Sequence, residues 1–247
     1  MNDKAKQFWA LHQPGKPLVL YNIWDAGSAK AVADAGAAAL ATGSWSVAAA
    51  QGYGDGEVIP LAMLAQIAGR IVDCVDLPVS VDFEGGYAVA PADVAKNVAR
   101  IAAVGAVGIN FEDQIVGSAG LHTIEVQALR IAAAKQGGAG MFVNARTDVF
   151  LKEPDPLRHA ALVPEAIARG QAYAAAGADG FFVPGLMDPA LIAQICAGVV
   201  VPVNAMRVGE ASIADLTGAG VARISHGPGP YRAAMAALTA RAMAADK

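Results

Sequence analysis

The sequence predicts a (β/α)8 barrel, and three observations carry that expectation. Eight short apolar, Val-rich runs alternate with Ala-rich helical stretches, one unit every roughly 30 residues. The chain has 247 residues, the length such a barrel needs. Polar and charged residues gather after the runs rather than before them, as they do where a barrel presents its reactive groups at the C-terminal ends of its strands.

The strand candidates in order are "PLVLYNIWD", "AALATGS", "PVSVDFE", "VGINFED", "MFVNARTD", "DGFFVPG", "VVVPVNAM" and "VARISHG". Strands covered on both faces read as such near-continuous apolar runs. Between the second and third lies "PLAMLAQIAGRIVDCV", where Leu61, Leu64, Ile67, Ile71 and Val75 follow a helical period. "PADVAKNVARIAAVG" repeats the pattern with Val94, Val98 and Ile101. "AVADAG", "IAAVG", "YAAAG" and "LTGAG" each end a helix on a glycine suited to a left-handed C-terminal position. A doubly wound open sheet is the competing architecture. Its dinucleotide form wants GxGxxG after the first strand, where "YNIWDAGSAKAVADAG" offers one glycine before the helix. No linker divides the chain, so residues 1–247 are expected to form one domain.

Composition excludes several classes. The chain is 55% hydrophobic and 16% charged with a formal net charge of -4, and no Lys/Arg cluster offers a footprint for nucleic acid. No apolar run reaches the length of a membrane span, and "MNDKAKQFWALHQPGKP" lacks an apolar signal core, so the cytoplasm is the expected location. Cys74 and Cys196 lack metal or redox spacing and are expected as buried free thiols. His12 and His159 have no convergent partners in sequence and are expected at the surface.

The strand ends carry the chemistry. They offer Asn22, Trp24 and Asp25; "TGSWS" followed by Asp55 and Glu57; Asp82 and Glu84; Glu112, Asp113 and Gln114; "NARTD"; Asn204 with Arg207 beyond; and Arg223, Ser225 and His226. Asp82 and Glu84 stand two apart, which in a strand places both on one side. Two carboxylates there are costly to bury unless a cation, water or substrate donors meet them.

"VDFEGGYA", "INFEDQ", "VNARTD" and "NIWDAGSAKAVADAGAAALATGS" together resemble the isocitrate lyase and phosphoenolpyruvate mutase superfamily, along essentially the whole chain. The resemblance implies a barrel, a homo-oligomer that exchanges a C-terminal helix, and Mg2+, with Mn2+ as a substitute, held mainly through water. It also implies small 2-oxo or 2-hydroxy acids as substrates. The superfamily's acidic pattern falls on Asp82, Glu84, Gly86 and Tyr87, with Glu84 replacing an aspartate and Ala88 a glycine. Its remaining metal-side carboxylates fall on Glu112 and Asp55, and its oxyanion-binding arginine on Arg146. "TGSW" matches the segment whose amides hold the substrate carboxylate, which makes Ser44, Trp45 and Ser46 binding candidates, with Asn204 beside them. Mg2+ prefers oxygen ligands and retains several waters, which suits Asp55, Asp82, Glu84 and Glu112 around one cavity. Arg146 would offer a planar fork to an oxyanion or pair with Asp148 or Glu112 instead.

The chain departs from the superfamily after the fourth strand. Isocitrate and methylisocitrate lyases carry "KKCGH" there, with the cysteine as acid or base, whereas this chain has "EDQIVGSAGLHTIE". The lysine of phosphonate-processing members is missing from the same loop. Ser118 is the only hydroxyl in "IVGSAG", and His122 is either a proton carrier or a cap for the next helix. His226 either faces the barrel mouth as acid, base or anion contact, or bonds within its own turn. The expected activity is a Mg2+-dependent lyase that cleaves a C–C bond of a small 2-oxo or 2-hydroxy dicarboxylic acid through an enolate, in the manner of an oxaloacetate decarboxylase. The alternatives are C–P chemistry of the phosphoenolpyruvate mutase or phosphonopyruvate hydrolase kind, and a barrel that binds metal or acid without turnover.

Overall fold

The computed structural model describes residues 2–209 and 211–245. Eight parallel strands, β1 (Leu18–Leu20), β2 (Leu40–Ala41), β3 (Val79–Asp82), β4 (Gly108–Glu112), β5 (Phe142–Arg146), β6 (Gly180–Phe182), β7 (Val203–Met206) and β8 (Arg223–Ser225), form one sheet. Their order is β1-β8-β7-β6-β5-β4-β3-β2, and a parallel bridge between Ile23 and Thr42 joins its two edges. The architecture is a (β/α)8 barrel, as the strand and helix spacing predicts. The strands are shorter than the apolar runs that announce them. Pro202 has no N–H to give the ladder, so β7 starts at Val203, and Val200 stays 89% exposed.

Helices α1 (Asp3–Ala10), α2 (Ala26–Asp34), α3 (Ser44–Ala50), α4 (Leu61–Cys74), α5 (Pro91–Ala103), α6 (Ile124–Gly137), α7 (His159–Ala175), α8 (Pro189–Gly198), α9 (Ile213–Gly218) and α10 (Gly229–Ala245) complete the described structure. Strand parity divides the core. Val81, Ile109, Val143, Phe181, Ala205 and Ile224 point outward and pack with Leu64, Val94, Ile131, Val163, Ile192 and Leu216 of the helices. Each fully buried aliphatic side chain contributes about 1.5–3 kcal/mol to that layer. Among the described residues no helix is long and apolar enough to cross a membrane.

The barrel base is closed by α1, which corrects the expectation for His12. Phe8 is buried with Leu18, Leu20, Ala39, Ala41 and Phe142. His12, 7% exposed, stacks on Phe142 at 4.2 Å, and its Nδ1 lies 2.7 Å from the Phe8 carbonyl. Burial, with Arg223 nearby, depresses the His12 pKa to about 3, so the ring is neutral. His159 is buried too: it packs edge-on against Phe150, with Nε2 at 2.9 Å from the Glu153 carbonyl. Cys74 and Cys196 are free and half-buried on α4 and α8.

Candidate functional site

Interior-facing positions of β4, β5, β7 and β8 carry Asn110, Asn144, Asn204 and Arg223, and these form a hydrogen-bonded floor. Arg223 is buried inside the barrel, where its Nη2 donates to Asn110 Oδ1 at 3.1 Å. A guanidinium has no acceptor, so the Asn110 atom facing it is the oxygen. Asn144 Nδ2 donates to the same oxygen at 2.9 Å and to Asn204 Oδ1 at 3.1 Å. One arginine thereby sets the orientation of three amides. It leaves Asn110 Nδ2 with no acceptor among the described residues. Desolvation lowers the Arg223 pKa to about 10, and the Asp82 charge opposes that fall.

Two adjoining cavities stand over this floor at the C-terminal ends of the strands. The larger, about 220 Å³, is lined at its base by Asn22, Asp82, Asn110 and Ser225 and on its walls by Trp45, Leu151, Phe182, Pro184, Met206 and Pro228. The smaller, about 180 Å³, is lined by Asp55, Glu84, Glu112, Gln114, Asp148 and Lys152. Ser44, Arg146 and Leu151 belong to both.

The polar cavity is held by a continuous ladder of charges. Arg146 grips Asp148 with Nε at 2.6 Å and Nη2 at 2.9 Å, and its Nη1 reaches Glu112 Oε2 at 2.8 Å. Three of the five guanidinium N–H groups are therefore engaged and two remain. Burial works against the Arg146 charge, yet Glu112 and Asp148 outweigh it and hold its pKa well above the usual value. Behind them Asp113, fully buried, accepts from Asp148 N at 3.0 Å, Tyr173 Oη at 2.8 Å and Arg169 Nη1 at 3.1 Å. On the opposite side Gln114 Nε2 donates to Glu112 Oε1 at 3.2 Å, and Lys152 Nζ donates to Gln114 Oε1 at 2.6 Å.

Asp82 and Glu84 are both buried, but strand alternation alone does not place them. β3 ends at Asp82, whose Oδ2 accepts the Ser44 amide at 2.9 Å and whose Oδ1 is buried with no partner among the described residues. Glu84 sits in the left-handed region with φ 49°, and the following turn aims it into the polar cavity. Gly86, at φ +82°, passes so close to Phe111 that a Cβ would lie 2.8 Å from its ring. Arg130 ties this turn down by donating to the Gly85 and Ala88 carbonyls. Burial, reinforced by the charges of Asp55, Asp82 and Glu57, pushes the Glu84 carboxyl up to about 8. Burial raises Glu112 as well, against the pull of Arg146. Among the described residues no three His, Cys, Asp or Glu side chains stand close enough to grip one ion together.

The structure brings Asp55, Glu84, Glu112, Arg146 and Ser44 to the polar cavity and Asp82 and Trp45 to its neighbour. Other candidates lie elsewhere. "TGSW" opens α3, and the Ser44 amide already serves Asp82, so it is not free for a ligand. Ser46 is buried and lines neither cavity. Asn204 belongs to the floor, where Nδ2 donates to the Ala205 carbonyl at 2.8 Å. Ser118 Oγ accepts from Gly120 N at 3.2 Å within its own exposed turn. The His226 Nδ1 lies 3.1 Å from the Leu20 carbonyl, and its ring lines a separate groove with Tyr21 and Arg207. His122 is not the helix cap, because Thr123 accepts the Val126 amide at the start of α6. Asn22 ties the strand ends together through Thr42, His226 and Gly227, and Asp25 caps α2. Sequence reasoning missed Asn110, Lys152 and Phe182 as lining residues. The alternation in "INFE" was the available signal for Asn110, which shares the inward parity of Glu112.

Comparison with known proteins bears on this arrangement. Residues 8–245 match the family described as Phosphoenolpyruvate phosphomutase. A Burkholderia cenocepacia J2315 protein, provisionally described as a phosphonomutase, superposes with a TM-score of 0.95 at 50% identity, covering 99% of each chain. A Mycobacterium tuberculosis protein of unassigned function is 37% identical over 96% of this chain and 88% of its own. The oxaloacetate decarboxylase of Pseudomonas savastanoi pv. phaseolicola is 31% identical over 95% of this chain and 82% of its own. With the barrel, the strand-end carboxylates and the full-length family match in agreement, the chain belongs to the phosphoenolpyruvate phosphomutase family and is an enzyme of the isocitrate lyase and phosphoenolpyruvate mutase superfamily.

Proposed function

We propose that the protein is a Mg2+-dependent lyase that cleaves a C–C bond of a small 2-oxo or 2-hydroxy dicarboxylic acid, in the manner of an oxaloacetate decarboxylase. The observation that carries this reading is the polar cavity, where Asp55, Glu84 and Glu112 face Arg146 and Lys152 across about 180 Å³. The donors are all oxygen, and Asp82 Oδ1 is buried with no partner among the described residues. That set fits a cation held largely through water, with Asp55, Asp82, Glu84 and Glu112 as its carboxylates. When bound, Mg2+ supplies charge that polarises a 2-oxo group and stabilises an enolate.

The chain's own residues do the rest. Arg146 keeps two N–H groups for an oxyanion, pre-oriented by Asp148 and Glu112. Asn110 Nδ2 offers a donor whose direction is fixed from below by Arg223. Lys152 brings an ammonium where the loop lacks a thiol. Arg207 lines the separate groove with Tyr21 and His226, and Arg223 lies in the floor, so neither lines the polar cavity. This supports a dianion over a tricarboxylate. Phe83 and Phe111, which would block a non-catalytic barrel, belong to the outer core instead.

The deciding experiment incubates the Mg2+-loaded protein separately with oxaloacetate, phosphonopyruvate, 2-methylisocitrate and isocitrate, following products by NMR. Pyruvate from oxaloacetate above the metal-only background is expected. Phosphate from phosphonopyruvate would transfer the assignment to C–P chemistry, and succinate from either tricarboxylate to the corresponding lyase.

The metal assignment has a pH signature. The Glu84 carboxyl is raised from 4.5 to about 8 in the metal-free fold. The folded protein thus keeps a proton that the unfolded chain releases, so metal-free stability falls as pH rises through that interval. A cation that neutralises the carboxylates reverses the trend. The Mg2+-induced rise in Tm is expected to be larger at pH 8 than at pH 5.5 by differential scanning fluorimetry. An equal rise at both values, or none, would remove the cation from this cavity.

Self-association belongs to the same proposal. α10 exposes Leu238 and Met243 at 61% and 69%, and of its side chains only Pro230 is buried. A helix so placed supports a homo-oligomer formed through it. Solution scattering at micromolar concentration is expected to return a multiple of 25.0 kDa, and a monomeric mass would rule the oligomer out.

A further inference from the structure

We infer that the acid taken by this site carries an apolar substituent of two or more carbons, seated between Trp45, Leu151, Phe182, Pro184, Met206 and Pro228. The inference rests on the proposed acid-cleaving role and specifies its substrate class. An unsubstituted four-carbon dianion has oxygen at both ends and matches the polar cavity alone. It would leave about 220 Å³ next door, room for about seven waters at ~30 Å³ each, against a wall of six apolar side chains.

Those waters would find few partners. Both polar atoms of Asn22 are committed to Thr42, His226 and Gly227. The Asn110 oxygen is committed to Arg223 and Asn144 and one Asp82 oxygen to Ser44 N, so that at the base Asn110 Nδ2 and the Ser225 hydroxyl are what remains for water, the second Asp82 oxygen being assigned to the cation. Poorly bonded water is displaced favourably by an apolar group. Leu151, 45% exposed at the junction of the two cavities, is covered only when such a group lies against it. The shared residues fix the geometry of the ligand. Arg146 and Ser44 border both spaces, so the substituent must branch from a carbon close to the carboxylate that Arg146 meets.

The test reads binding rather than turnover. Malonate, methylmalonate, ethylmalonate and propylmalonate are titrated calorimetrically into the Mg2+-supplemented protein. Each added methylene is expected to tighten Kd about three- to fourfold. Phe182→Ser and Met206→Asn, which line the apolar space and not the polar cavity, are each expected to flatten that ladder while leaving malonate itself within about twofold. A flat or falling ladder in the wild type, a ladder unchanged in both variants, or no binding of any of the four at millimolar concentration would overturn the inference. If the ladder tightens but neither oxaloacetate nor 3-ethyloxaloacetate is cleaved by the Mg2+-loaded protein, the reaction assignment falls and the apolar subsite stands.

Discussion

Asp113→Ala is expected to destabilise the protein by about 3–5 kcal/mol, the cost of breaking a buried ion pair from one side. The carboxylate is fully buried and accepts from Arg169, Tyr173 and the Asp148 amide. Removing it leaves Arg169, itself 7% exposed, with Glu165, the Tyr173 hydroxyl and the His122 carbonyl as its remaining acceptors. At this chain length the loss corresponds to a fall in Tm of roughly 6–20 °C. Activity should fall with it, because Asp113 positions Asp148 and Asp148 orients Arg146 at the cavity. A double-mutant cycle separates pairing from packing. Asp113→Ala combined with Arg169→Met should cost less than the sum of the single changes, since the double variant leaves no unpaired charge. A loss below about 1 kcal/mol for Asp113→Ala in urea melts would mean that the ladder does not hold the barrel rim.

How far the sequence speaks for this molecule can be judged from particular residues. The outward-facing halves of the strands were legible, because Val81, Ile109 and Val143 must meet helices and so must be apolar. The position of the reactive end was legible for the same topological reason: polar groups accumulate where strands stop and loops begin. What failed was the extension of strand geometry past the strand. Asp82 and Glu84 were expected to share a face by alternation, yet the chain turns left-handed at Glu84, and that turn is held by residues distant in sequence, Glu57, Asn97 and Arg130. His12 was unreadable because its burial depends on α1 folding under the barrel, against residues of β1, β2 and β5. Lys152 was unreadable because its role depends on Gln114, which is 38 positions away. The interior amides were visible in the alternation of "INFE", "VNAR" and "VNAM". Their orientation was not, since it descends from the single guanidinium of Arg223.

Asp82→Ala tests the opposite balance, a large loss of turnover with little loss of fold. The side chain makes one accepted hydrogen bond, from Ser44 N, while its second oxygen is buried and unmatched among the described residues. Its charge also adds to the repulsion on Glu84 and Glu112. Removing it frees one amide, a cost of about 1–3 kcal/mol, and relieves the carboxylate repulsion that opposes folding, so the two effects offset. Tm is expected to stay within a few degrees of wild type without Mg2+. In contrast, kcat/KM on the substrate identified by NMR is expected to fall about 10²–10³-fold, the scale seen when a preorganised electrostatic contact to the transition state is removed. The two measurements must diverge for the assignment to hold. A variant that unfolds as readily as it loses activity would make Asp82 a structural anchor for α3. A variant that is stable and fully active would move the chemistry away from β3 and onto Glu112 and Arg146. The Mg2+-dependent gain in Tm at pH 8 should shrink in the same variant, because the cation loses one of its carboxylates while Glu84, held by its own turn and by the Glu57 amide at 2.7 Å, stays in place.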